Sequence, residues 1–278
     1  MSTATLLAIG SALLHATWNL SVKTSADRDL SLIGQFAAGG VLGTIGLVVV
    51  GTPGAAAVPF LVGSAAVHVV YAAGLTGAYD SGDFSLVYPL ARAGGAMIAA
   101  IGGVVLLGDH VTVWAWLAIA MVAVGLMAAV GPQPSPRSLM WCALTAATIG
   151  AYTVIDGRGS RGATSGESYG FAIIAATSIG VVSSGIVRGR GRELAADLRA
   201  SWPRHLGGGA CSTAAYVLVL IAVRSAPIAQ VAMLRESSVV IGAFAGWVLL
   251  KEHLGGRRLA ASCVMVTGLV GLVLAGST

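Results

Sequence analysis

The sequence is poor in charge. Asp, Glu, Lys and Arg make up 10% of its 278 residues, against about 25% in an ordinary soluble protein. Sixteen basic and eleven acidic side chains cannot coat the surface that a water-soluble chain of this length exposes, which excludes a soluble enzyme. Disorder is excluded as well, because 56% of the residues are hydrophobic and the mean hydropathy is +0.86, whereas disordered segments are polar. Cysteine is scarce: Cys142, Cys211 and Cys263 stand in apolar runs at unrelated spacings, neither a disulfide framework nor a metal signature, and they read as small core residues. Also missing are G-x-x-x-x-G-K-S/T, H-E-x-x-H and G-x-S-x-G, the motifs that hold nucleotide phosphates, zinc or a nucleophilic serine. No loop reaches twenty residues, so an ATP-driven pump would need a partner chain for its nucleotide domain. The expectation is a protein that is not an enzyme and uses no cofactor or metal.

What is present is apolar and small. The 39 glycines have no three-residue period, which rules out collagen and suits close helix packing in lipid. The charge-poor blocks match the roughly 20 residues that cross about 30 Å of hydrocarbon as a helix. Ten spans follow, at 4–22, 30–50, 58–78, 84–107, 112–130, 138–156, 168–187, 205–223, 228–250 and 257–275. Gly51-Thr52-Pro53-Gly54 separates the second from the third. The first lacks a basic flank, and His15, Trp18 and Asn19 interrupt its apolar run, so it reads as a retained helix rather than a signal peptide.

The chain repeats itself. A shift of 143 superposes Arg92 on Arg235, Gly103 on Gly246, Leu106 on Leu249, His110 on His253, Gly125 on Gly268 and Leu126 on Leu269, with Asp109 meeting Glu252. Spans 4 and 5 thus recur as 9 and 10. Five helices per half is an odd number, so the second half enters the membrane reversed. The fold class expected is an all-α polytopic membrane protein, its ten transmembrane helices forming two inverted five-helix repeats, residues 1–131 and 132–278, in one structural unit.

Orientation follows from the basic residues. Lys23, Arg28, Arg137, Arg188, Arg190, Arg192, Arg199, Arg204, Lys251, Arg257 and Arg258 fall on one side, against Arg158, Arg161 and Arg224 on the other. The positive-inside rule puts the first set in the cytoplasm and both termini outside. This topology also accounts for the net charge of +5 and the pI near 9.4, because the basic residues lie between apolar segments and not on one nucleic-acid-binding face. The segment 188–204 reads as a solvated topogenic loop, the alternative being a short surface helix on anionic lipid.

Polar side chains inside spans are costly, a charge at a helix centre by at least about 2.5 kcal/mol, so they mark a pathway or a structural pair. In span 1, His15, Asn19 and Lys23 stack at i, i+4 and i+8 with Trp18 alongside, and Thr148, Tyr152 and Asp156 repeat that spacing in span 6. In span 4, Pro89 removes a backbone donor and should loosen the helix between Tyr88 and Arg92. Arg92 lies about eight residues deep, roughly 12 Å along the axis, and needs a carboxylate, carbonyls, water or an anionic substrate. Its repeat mate Arg235 precedes Glu236, which pairs with Arg92 or takes part in proton coupling. Arg92 and Arg235 are therefore candidates for an anionic group, Glu236, Asp156 and Lys23 for coupling or countercharge, and Tyr88, Trp18, Asn19, His15 and Tyr152 for lining a cavity. The bland alternative is helix-end snorkelling and a buried ion-pair network that fixes the packing of the halves. Gln35 and His68 are weaker candidates. Gly39/Gly43 and Gly242/Gly246 fit small-residue helix packing, within a monomer or in a homodimer.

Taken together, the strings His15-Ala16-Thr17-Trp18-Asn19, Val87-Tyr88-Pro89-Leu90-Ala91-Arg92, Ala151-Tyr152-Thr153-Val154-Ile155-Asp156 and Leu234-Arg235-Glu236-Ser237, with Leu107-Gly108-Asp109-His110 and Leu250-Lys251-Glu252-His253 closing spans 4 and 9, resemble the EamA-type proteins of the drug/metabolite transporter superfamily. The resemblance implies a ten-helix carrier in the inner or plasma membrane, with a central cavity built from both halves. It implies movement of small metabolites such as amino acids or other carboxylate-bearing compounds, or drugs, often outward, and termini in the cytoplasm, against the charge count. The expected function is a secondary transporter working by alternating access, with a small-molecule substrate, the lipid bilayer and protons as its partners. The competing class is a non-transporting membrane protein, an intramembrane enzyme or assembly scaffold. Arg92→Ala is expected to abolish transport and leave membrane abundance intact.

Overall fold

The computed structural model describes the backbone of residues 2–81, 84–129, 135–241, 244 and 256–275, and their side chains except at 23, 79, 80, 84–89, 129 and 258. The described chain is helical throughout: α1 (Thr3–Lys23), α2 (Arg28–Val50), a 3-10 turn (Ala55–Ala57), α3 (Val58–Ser81), α4 (Phe84–Leu107), α5 (Val113–Ala129), α6 (Pro136–Gly162), α7 (Gly166–Val187), α8 (Gly191–Ala200), α9 (Trp202–Ala222), α10 (Ile228–Arg235) and α11 (Gly256–Ala275). Polar side chains set the starts. Asp27 accepts from the Leu30 N–H at 2.9 Å, Ser2 caps α1, and Ser165 and Ser168 close a reciprocal capping box on α7.

Among the described residues seven helical stretches are long and apolar enough to cross a membrane: Thr3–Val22, Arg28–Val50, Ala55–Ala78, Leu90–Leu107, Pro136–Gly162, Gly166–Val187 and Trp202–Ala222; Val113–Ala128 and Leu259–Ala275 are apolar but shorter. Their outer faces carry large bare side chains, Val187 at 86% and Val48 at 83% exposure, a surface suited to lipid and not to water. Four sequence expectations are corrected. Span 6 runs on to Gly162, so Arg158 and Arg161 belong to its last turns and not to a loop. Residues 188–204 are not a solvated loop, because α8 buries Leu194 and rests Leu198 against Leu30, Ile33 and Val181 of α2 and α7. Cys263 is exposed, not core. Span 9 is broken at Glu236: the Glu236 N–H bonds the Met233 carbonyl and the Val239 N–H bonds the Glu236 carbonyl, both at 3.0 Å, while the Ser237 hydroxyl takes the Leu234 carbonyl at 2.7 Å. These are i to i+3 links, so the helix tightens at the two charged residues.

The helices pack in pairs, α1 on α9, α2 on α7 and α9, α3 on α6 and α7, α4 on α6 and α10, and α5 on α11. The α5–α11 pair is reciprocal to the residue. A side chain at Gly125 would meet the Ala261 carbonyl and the Met265 N–H, and one at Gly268 would meet the Ala118 carbonyl and the Val122 N–H, all within 3.0 Å. Backbone stands in the way each time, so only glycine lets these helices approach.

Candidate functional site

A cavity lies between the helices, lined by His15, Trp18, Leu32, Gln35, Phe36, Gly39, His68, Tyr71, Arg92, Tyr152, Ile174, Thr177, Ser212, Ala215, Tyr216 and Arg235. A second hollow shares Trp18 and Leu32 with it and is lined further by Asn19, Arg28 and Asp29, so the cavity continues toward the arginine-rich end. The opposite end is filled by Ala163, Leu220, Val223, Ile228 and Ala229, all in the main core.

Tie bars close that filled end. Gly108 adopts φ +71, a left-handed turn natural to glycine, and delivers Asp109 to the N-terminus of α10, where it accepts from the Ile228 N–H at 2.7 Å. Asp109 also receives Arg161 of α6 at 2.6 and 3.1 Å, and Arg161 bonds the Val223 and Ala226 carbonyls. Arg224 bonds the Ser160 and Ala163 carbonyls beside them.

Inside the cavity the charges are unequally matched. Arg92 grips Glu236 side-on, Nη2 to Oε1 at 2.6 Å and Nε to Oε2 at 3.3 Å, both residues buried. Arg235, 7% exposed, makes no hydrogen bond or ion pair with a described residue: its Nε is buried without a partner and its guanidinium lies 5.8 Å above the Tyr216 ring. A cation over an aromatic face gains on the order of 1 kcal/mol, well short of the cost of burying the charge. The tightening at Glu236 explains the division, since neighbouring side chains point in different directions and Glu236 turns toward Arg92.

Aromatic side chains form the wall. His68 stacks on Tyr152 at 4.0 Å, and Tyr71 and Tyr216 meet that pair edge-on. The Trp18 indole donates to His15 Nδ1 at 3.2 Å. Asp156, fully buried, lies behind the wall and accepts from the Tyr169 hydroxyl at 2.9 Å and from the Tyr216 hydroxyl.

The second half of the chain decides the relationship, because residues 136–274 match the model of the EamA-like transporter family. The chain belongs to that family. No curated protein matches it. Among solved structures, one crystal structure aligns with a TM-score of 0.79 and 16% identity over 100% of this chain and 98% of that one, a likeness of fold. This EamA chain is thus a multi-pass integral membrane protein of a transporter family, as the sequence motifs imply.

Five of its sequence-derived site residues, His15, Trp18, Arg92, Tyr152 and Arg235, come together in the cavity, joined by Gln35 and His68. Glu236 reaches it through Arg92, and Asp156 through Tyr216. Asn19 is displaced: its amide donates to the His15 carbonyl at 2.7 Å and it lines the adjoining hollow instead. The side chains of Lys23 and Tyr88 lie outside the described ones, as do residues 242–243 and 245–255, which hold Gly242, Gly246 and Glu252; the α4 backbone is helical through Pro89. Tyr71, Tyr216 and Tyr169 also belong to the site; as isolated tyrosines, uncharged and outside any four-residue polar stripe, they carry no signal in the sequence.

Proposed function

We propose that the protein is a secondary transporter that carries small carboxylate-bearing metabolites by alternating access, its two five-helix halves rocking as inverted repeats about the central cavity. The observation that carries this reading is Arg235, a buried cation facing the cavity with no hydrogen bond or ion pair to any described carboxylate. A planar guanidinium suits bidentate recognition of a carboxylate, and the tyrosine wall offers an apolar face to the rest of the molecule. The repeat reading draws on helix pairs that exchange when α1–α5 are swapped for α6, α7, α9, α10 and α11, α1 on α9 with α3 on α6 and α2 on α9 with α3 on α7, and on the reciprocal Gly125 and Gly268 contacts. Closure at the Asp109 end and continuation of the cavity toward Arg28 suit one of the two alternating states. The direction we favour is outward, across the cell membrane.

Uptake into proteoliposomes of labelled lactate, benzoate, phenylalanine and methylamine tests the reading. Carboxylates should accumulate and methylamine should not, and Arg235→Ala should weaken apparent affinity about 10- to 100-fold, the value of one or two hydrogen bonds to a charged group. Flux of methylamine alone, or no flux of any member, overturns it.

A further inference from the structure

We infer that Asp156 is the proton-carrying group of the cavity and that it couples one proton to each monoanion bound at Arg235, through Tyr216; this rests on the transport reading above. Four charged side chains are buried in the described bundle interior, Arg92, Arg235, Glu236 and Asp156. Arg92 and Glu236 cancel each other within one ion pair. Arg235 and Asp156 cancel as well, but at a distance, one facing the cavity and the other behind its wall. Counted over the described residues, with His15 and His68 as imidazoles, the empty cavity is therefore neutral. For His15 this follows from the Trp18 indole, a donor only, whose N–H points at Nδ1. A monoanion on Arg235 leaves one net negative charge in a low-dielectric interior, and a proton on Asp156 removes it. Only the empty and the doubly loaded carrier are neutral, and those are the forms that cross hydrocarbon at least cost.

The walls around Asp156 specify a proton and not an ammonium group. Both oxygens are taken by tyrosine hydroxyls, Tyr169 of α7 on Oδ1 and Tyr216 of α9 on Oδ2, and the residue has no exposed surface. From α3 it is faced by Ser64 and His68, and His68 is held by the Ser64 carbonyl at 2.9 Å. Of the two tyrosines that grip Asp156, only Tyr216 also lines the cavity. With Asp156 ionised, the Tyr216 O–H donates to it. With Asp156 protonated, the carboxyl O–H donates to the Tyr216 oxygen, and the phenol hydrogen is released to turn toward an acceptor in the cavity, beside the guanidinium that lies over the same ring. No covalent bond other than O–H is made or broken, and the proton leaves with the anion on the far side.

Infrared difference titration of the reconstituted full chain, without substrate, reads the site directly. A protonated-carboxyl C=O band should titrate in the wild type and in Glu236→Gln, and be absent from Asp156→Asn. In Tyr216→Phe the band should persist at a shifted frequency, having lost its hydrogen-bond partner. No band in the wild type, a band that survives Asp156→Asn, or an unshifted band in Tyr216→Phe overturns the assignment. In proteoliposomes with the potential clamped by valinomycin and potassium, a pH gradient should drive benzoate uptake and a potential should not. Asp156→Asn should lose gradient-driven uptake and keep exchange of labelled for unlabelled benzoate. Potential-driven uptake overturns the coupling. Absence of flux across the whole panel with the band intact overturns the transport reading and leaves Asp156 as a protonation site.

Discussion

Glu236 takes the guanidinium of Arg92 from 144 positions away in the chain, two hydrogen bonds at 2.6 and 3.3 Å joining α4 to the break after α10. Both groups are buried, so removing Arg92 strands the Glu236 carboxylate in the interior, at a cost of about 3–5 kcal/mol, and removing Glu236 takes from Arg92 its side-on carboxylate. Arg92→Ala and Glu236→Ala should each lower the thermal midpoint and the membrane abundance of the protein, measured by fluorescence-detected size exclusion after heating. The joint replacement Arg92→Met with Glu236→Met should recover most of the loss, because an apolar pair of similar volume restores the packing. The expectation that Arg92→Ala spares abundance is revised on this ground: Arg92 already has its countercharge in Glu236. Single variants as stable as the wild type would show that the pair does not brace the fold.

The tie between Asp109 and Arg161 gathers the ends of α4 and α6 and the start of α10. In an otherwise cysteine-free background, Ala229→Cys places a thiol at a fully buried position beneath it. An impermeant maleimide should label that thiol slowly, and Asp109→Ala should speed labelling about tenfold. That figure is the low end of what charge-assisted hydrogen bonds contribute, discounted because Arg161 is 24% exposed. Equal labelling rates would mean that the tie bar does not hold this end shut.

The helices and half of the cavity were legible in the chain because lipid makes polarity conspicuous: His15, Trp18, Arg92, Tyr152 and Arg235 stand out against alanine, glycine and leucine and converge on one hollow. What was not legible depends on direction more than on residue type. Nothing in Arg235-Glu236 announces that the helix tightens there and sends the two charges to different partners. Asn19 shares a stripe with His15, yet satisfies itself on its own helix, as Thr148 does on the Leu144 and Thr145 carbonyls. Tyr216 counts as apolar in composition and becomes a junction only when α9 is set between Asp156 and Arg235.

Glycine at 268 is expected to be irreplaceable where glycine at 63 is not. A Cβ at Gly268 would lie 2.9 Å from the Ala118 carbonyl and the Val122 nitrogen, backbone that cannot yield without moving α5, whereas Gly63 has nothing within 4 Å. Gly268→Val should cost about 1–3 kcal/mol, the usual penalty of overpacking, and Gly63→Ala should be neutral or stabilising by a few tenths through lost chain entropy. Thermal midpoints of the two variants in one detergent decide it, and a tolerated Gly268→Val would refute the close approach of α5 and α11.

The docking of α8 should depend on pH in a direction fixed by Asp27. The Arg190 side chain beside it holds the Asp27 carboxyl below the ordinary carboxylate value, with the Leu30 N–H helping, and Arg190 is shared with Asp29 at 2.7 Å and Glu193 at 2.8 Å. A carboxylate whose folded-state pKa is depressed contributes its full stabilisation above the unfolded value of about 3.9 and loses it as pH falls through the folded one. Wild-type α8 should therefore stay docked through neutral and mildly acidic solution and loosen only below the usual carboxylate range. Arg190→Ala removes the cause, so loosening should move to higher pH. The neutral-pH loss should be about 1 kcal/mol or less, since Asp27 is 43% exposed and water screens the contact. The mobility of a spin label at Ala195→Cys, on the exposed face of α8, follows the transition. A curve unmoved by Arg190→Ala would assign the docking to Leu194 and Leu198 alone.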